Sequence, residues 1–145
     1  MQYFLGRYEY AMDERGRVPL PPRYRDHFIR GAVLSQGSPD RCLRLYTTES
    51  FEQEAALYTS EPAIRRAGRI TRHAFFTRSF PVELDRQGRI LIPAPLREYA
   101  GLDGNVVVVG AGEWLEIWNP ERFDAEMAVV DDELESTLES VEPRS

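Results

Sequence analysis

The sequence predicts an α+β, β-rich fold: two halves related by a pseudo-twofold axis and sharing one core, with a connecting helix and a C-terminal helix added. Three observations predict it. Asp85-Arg86-Gln87-Gly88-Arg89, running directly into Ile90-Leu91-Ile92-Pro93, repeats Asp13-Glu14-Arg15-Gly16-Arg17 with Val18-Pro19-Leu20-Pro21 at an offset of 72 residues. Apolar residues alternate with polar ones on the approach to each copy, which is the period of a strand. Each half spans only about fifty residues, too few to bury a stable core alone, so the halves must pack together with their strands interleaved.

The offset extends well beyond the motifs. Tyr8, Tyr10 and Met12 align with Phe80, Val82 and Leu84; Pro21 with Pro93; Arg25 with Arg97; Asp26 with Glu98. Cys42 to Tyr46 aligns with Trp114 to Trp118, and Phe51 with Phe123, with a one-residue slip around Val33-Leu34 and Val106 to Val109.

Each copy reads as β-β-α-β-β-α. The first strand ends at an Asp-x-x-Gly turn, read as a hairpin tip with glycine (Gly16, Gly88) where a positive φ is needed. Return strands follow at Val18 to Leu20 and Arg89 to Ile92, and Pro19 argues for an edge position. Pro21-Pro22 and Pro93-Ala94-Pro95 open short helices over Arg23 to Phe28 and Leu96 to Tyr99, which Gly31 and Gly101 end. Val106 to Val109 is a buried strand, echoed by Ala32 to Leu34. Leu43 to Tyr46 and Leu115 to Trp118 are the last strands, and Thr47 and Asn119 cap the helices after them.

The resulting division is repeat 7–54, connecting helix 55–78, repeat 79–122, C-terminal helix 123–142 and tail 143–145. In the connection, Ile64, Ala67, Gly68, Thr71 and Phe75 fall on one helical face. Arg65, Arg66, Arg69, Arg72 and Arg78 then form an outer side that is a solvated face or a DNA or subunit contact. Phe123, Met127, Val130, Leu134, Leu138 and Val141 form an amphipathic stripe with an acidic back, packed on its own domain or bridging subunits.

The net charge of −6 is unevenly spread. Residues 121–145 contain nine acids against Arg122 and Arg144, a sum of −7, which leaves +1 for the first 120 residues. Overall acidity therefore does not veto a local basic patch. All 18 basic residues are arginine, so each can contact a phosphate or a guanine edge in bidentate fashion. Cys42 is alone, which excludes an internal disulfide, and with only His27 and His73 beside it a metal site is not expected. No membrane-spanning or signal segment is read, and a cytoplasmic protein is expected.

At each tip the aspartate (Asp13, Asp85) can accept hydrogen bonds from turn N–H groups and stiffen the loop. Arg17 and Arg89 can pair with it or point outward, while Arg15 and Arg86 project from the turns. Two such tips on one surface would make a basic patch suited to phosphates and the major groove. The bland alternative is that Asp and Arg only staple the turn. A hydrolase using an Asp13/Asp85 dyad is disfavoured, because adjacent arginines lower the carboxyl pKa and spoil the acid role. No catalytic residue and no cofactor is assigned. A third possibility is a ring-forming interaction scaffold that never touches nucleic acid.

These residues resemble the MraZ family, bacterial transcriptional regulators built from two tandem SpoVT/AbrB-type domains. The resemblance rests on both Asp motifs, Gly88 to Pro93 with Leu96 to Leu102, and Glu116-Ile117-Trp118, and runs from Phe4-Leu5-Gly6 to Phe123. It implies a swapped-hairpin fold, a ring-shaped homo-oligomer, a nucleoid location and binding of double-stranded DNA at short direct repeats. Those repeats would lie upstream of the division and cell-wall gene cluster that contains the protein's own gene. Asp13, Arg15, Arg17, Asp85, Arg86 and Arg89 would form the binding surface, with Asp85 and Gly88 shaping the turn and Arg86 and Arg89 meeting DNA. Pro19 and Thr77-Arg78-Ser79 depart from the family pattern outside the motif.

Overall fold

Alternating apolar residues require a sheet with one face buried, and both halves contribute strands to a single one. The structure, a computed structural model, describes residues 3–141. Its strands are β1 (Arg7–Ala11), β2 (Arg17–Pro19), β3 (Ala32–Gln36), β4 (Leu43–Thr47), β5 (Ser79–Val82), β6 (Arg89–Leu91), β7 (Asn105–Gly110) and β8 (Trp114–Trp118). The helices are a 3-10 turn (Pro22–Phe28), α1 (Thr48–Tyr58), α2 (Arg66–Phe76), α3 (Ala94–Ala100) and α4 (Pro120–Val141). Glu142 and the expected tail 143–145 lie outside the described residues.

Six strands form an antiparallel sheet in the order β1-β7-β8-β4-β3-β5, and β2 and β6 form a separate two-stranded ribbon. Exchanging the halves maps this order onto itself in reverse, which is the predicted pseudo-twofold relation. The axis passes through pairs that join a residue to its own repeat partner, Arg44 to Glu116 and Val18 to Ile90. The strands are interleaved: β1 pairs with β7, β3 with β5, β4 with β8 and β2 with β6, so four pairings cross between halves.

The tips are turns as expected, but the two arms of each hairpin do not form a ladder with one another. β1 and β2 each leave the first tip for a strand of the other half, because that is where the complementary apolar faces lie. One bridge, Leu84 to Ile90, survives within the second hairpin. The register slip is also larger than the sequence indicated. Tyr8 pairs with Val108 where Phe80 pairs with Leu34, so Leu34 and Val108 are equivalents and the offset there is 74.

Alternation along the strands assigns the faces. Val18, Leu20, Leu34, Leu45, Ile90, Ile92, Val108, Leu115 and Ile117 lie in one fully buried cluster drawn from both halves. Val107, Val109 and Trp118 point the other way and pack with Cys42 and Phe123 at the start of α4. Tyr46, on that outer face, meets Phe51 of α1 and Phe75 of α2. The ribbon carrying the tips therefore covers one face of the sheet, and α1, α2 and α4 cover the other.

The caps follow the sequence reading. Thr47 Oγ1 accepts from the Ser50 N–H at 3.0 Å, and Asn119 Oδ1 accepts from the N–H groups of Glu121 and Arg122. Pro19 stands in an edge strand, where its missing N–H costs no ladder bond. Correction is needed in the connection: α2 begins only at Arg66, and Ile64 precedes it and is 86% exposed. The loop after Pro62 crosses the helix too closely to continue it. A Cβ on Gly68 would lie 2.0 Å from the Pro62 carbonyl oxygen. Arg69 and Arg72 spend their guanidinium donors on carbonyls of this loop, those of Ala63, Ile64 and Glu61.

Because the core is built across the halves, a fragment of residues 1–78 alone should show no cooperative unfolding transition by circular dichroism. Mixing it with residues 79–145 should restore one. A cooperative transition in the isolated fragment would contradict the shared core.

Candidate nucleic-acid interface

An aspartate followed by three residues and an arginine folds here into a self-contained knot. In the first tip, Asp13 Oδ1 accepts from the backbone N–H of Arg15 (3.0 Å) and Arg17 (2.8 Å), and Oδ2 accepts from Arg17 Nε at 2.7 Å. In the second, Asp85 Oδ1 accepts from Gln87 and Arg89 N–H groups, both at 2.9 Å, and Oδ2 from Arg89 Nε at 2.9 Å. Gly16 and Gly88 close the turns with φ of +88° and +75°, values that strain any residue with a side chain.

The two knots are locked to each other. Leu20 N–H donates to the Gly88 carbonyl at 3.0 Å, and Ile92 N–H donates to the Gly16 carbonyl at 2.8 Å. Arg25 slides under Gly88 and Arg97 under Gly16, so closely that a Cβ would lie 2.3 Å and 2.8 Å from their guanidine nitrogens. The repeat alignment pairs Arg25 with Arg97 and gives them no task; the task comes from the interleaving, which brings each beneath the glycine of the other half. Arg89 Nη1 also reaches Asp13 Oδ2 at 3.6 Å, a direct link between the tips.

All eight residues singled out in the sequence thus come together on one face. Asp13, Gly16, Asp85 and Gly88 hold the turns. Arg17 and Arg89 are tied through Nε to their own aspartates and are 31% and 24% exposed, which leaves the η nitrogens of Arg17 and Nη2 of Arg89 as the groups able to reach outward. Arg15 and Arg86 are exposed, and among the described residues their side chains make no hydrogen bond or ion pair. The α2 arginines lie on the opposite face of the sheet and do not join this surface.

The electrostatics argue against a carboxylate dyad. Asp13 is held below the ordinary aspartate value of 3.8, chiefly by the Arg17 backbone N–H, then by the Arg17 side chain and the Arg15 N–H. Asp85 is lowered in the same way by Arg89 and the Gln87 N–H. Neither carboxylate is positioned to hold a shared proton near neutral pH. Among the described residues no group of His, Cys, Asp and Glu could hold a metal ion.

A depressed aspartate pKa contributes stability above the unfolded value, and that stability is lost as pH falls through the folded value. Carbon-13 NMR of the carboxyl groups should therefore show Asp13 and Asp85 titrating below 3.8. In Arg17→Ala the Asp13 midpoint should rise toward 3.8; wild-type midpoints at or above 3.8 would contradict the knot.

Known proteins are similar to this chain in sequence. The family model for MraZ protein matches residues 3–71 and 75–138, one segment over each half. A protein named Transcriptional regulator MraZ from Thermomicrobium roseum is 42% identical over 123 residues, 85% of this chain and 86% of its own length. Proteins of the same name from Dehalococcoides mccartyi and Micrococcus luteus are 34% and 36% identical, each over at least 96% of both chains. With both halves matched by one family model and near-complete coverage of its relatives, the chain belongs to the MraZ family.

Proposed function

We propose that this chain is a DNA-binding transcriptional regulator that acts through its two Asp-x-x-x-Arg tips and performs no catalysis. One observation carries the reading: the tips, 72 residues apart in sequence, are locked side by side on one face with Arg15 and Arg86 unengaged. A rigid loop presenting arginine loses little side-chain and backbone freedom on binding, and the guanidinium suits phosphate and guanine alike. The relatives' name, Transcriptional regulator, supports the same conclusion.

The finer parts of the reading are these. The protein works in the cytoplasm, at the nucleoid, on short direct repeats upstream of its own operon in the division and cell-wall gene cluster. It does so as a ring-shaped homo-oligomer whose repeated tips engage repeated sites, an avidity gain of roughly 10²–10⁴. The repeats 7–54 and 79–122 form the binding unit, and segments 55–78 and 123–142 serve assembly. Among the described residues no helix is long and apolar enough to cross a membrane. Self-association is favoured by α4. Its stripe packs on the domain through Phe123 and Met127, but Leu134 and Leu138, further along, are 46% and 54% exposed. Arg65 and Arg66, exposed at the start of α2, are the charge complement of the acids on α4. A scaffold that assembles without nucleic acid is the second reading, carried by that same stripe.

A mobility-shift assay on the region upstream of the protein's own gene tests the assignment. Arg15→Ala and Arg86→Ala should each cost about 1–3 kcal/mol of binding and keep the wild-type fold. Arg17→Ala and Arg89→Ala should lose binding and also loosen the turns. No shift from wild type, or equal shifts from folded variants, would overturn it. Leu134→Glu with Leu138→Glu should lower the mass seen by light scattering after gel filtration; an unchanged mass would remove α4 from the assembly.

A further inference from the structure

The two tips are alike in backbone and unlike in charge. At matched positions 72 residues apart, Glu14 stands where the second tip has Arg86, and Arg15 stands where it has Gln87. The first loop is therefore neutral in its variable positions and the second is positive.

The clefts beside the tips enlarge this difference. The cleft at the second tip, about 470 Å³, is lined by Arg25, Arg30 and Arg86 with Glu83 and Asp85. Asp85 is already paired with Arg89, so three arginines face one uncommitted carboxylate. The cleft at the first tip is lined by Arg97 with Asp13, Glu14, Glu98 and Asp103. Asp13 is paired with Arg17, so three uncommitted carboxylates face one arginine. The extra residues before β7 fall in this stretch, and Asp103 lines the first cleft whereas Arg30 lines the second.

We propose that the cleft between the second tip and the end of the 3-10 turn is a phosphate-binding site, with Arg30 and Arg86 as its ligands and Arg25 as the support beneath Gly88. The first cleft, by the same electrostatics, repels a phosphodiester. This rests on the DNA-binding reading and deepens it by naming where the backbone seats. A backbone phosphate then seats in the second cleft and none in the first, while Arg15 and Arg86 both face the duplex, so the protein engages it in one orientation only. Two equal tips about a twofold axis would suit a palindrome. Two unequal tips suit sites repeated in the same direction.

The test uses the full chain and fluorescence anisotropy on a labelled duplex across a salt series. Arg30→Ala and Arg86→Ala should each weaken binding regardless of sequence and reduce the slope of log K against log salt by about 1. Glu98→Gln and Asp103→Asn should tighten binding. Wild-type affinity and slope in Arg30→Ala, with wild type binding DNA, would overturn the phosphate site and leave the DNA assignment standing. Wild type that binds no duplex would overturn the DNA assignment instead. The site is then decided by titrating inorganic phosphate into the protein and following backbone amides by NMR. Shifts at Gly31 and Gly88 with none at Gly16 and Gly104 support it; equal shifts at both tips, or none, overturn it.

Discussion

The structure depends on the exchange of backbone bonds between the two tips. The Gly88 carbonyl is taken by Leu20 and the Gly16 carbonyl by Ile92, and directly between them Val18 and Ile90 pair on the pseudo-twofold axis. Neither tip can form its surface without the other half. The same exchange removes the hairpin ladders that a local reading expects and sends β1 to β7 and β5 to β3. What results is a ribbon fixed at its centre by two fully buried side chains, with the aspartate knots at its ends and their arginines outward.

Within each knot the arginines divide their tasks. An arginine whose Nε is held at 2.7 Å or 2.9 Å by a carboxylate is pre-oriented. Its remaining nitrogens sit in a fixed plane, which reduces the entropy that bidentate contact would otherwise cost. Arg17 and Arg89 therefore belong to the staple and remain available to a ligand at once. The unengaged Arg15 and Arg86 are longer-reaching and less determined. Stapling and binding, posed as alternatives by the sequence, are compatible in one residue because guanidinium has donors on more than one edge.

Much of this was legible in the residues. The 72-residue offset located both tips and the core face, and Thr47 and Asn119 announced their helices. Strand partners were not legible, because a two-residue period assigns a face to a side chain and says nothing about which distant strand lies beside it. The offset of 74 between β3 and β7 was hidden by Val106 to Val109, four identical residues that accept any register. The start of α2 was misjudged because the loop crossing at Gly68 is a tertiary contact. Arg25 and Arg97 were visible as a pair, but their packing against the glycines of the opposite half follows only from the interleaving.

The central claim is that the ribbon face, and not the arginine-rich outer face, meets nucleic acid. Backbone amide shifts followed by NMR as duplex DNA is added test it most directly. The account predicts the largest changes at Arg15, Gly16, Arg86 and Gly88, with α2 from Arg66 to His73 unmoved. Shifts concentrated on α2 with the tips unchanged would contradict it.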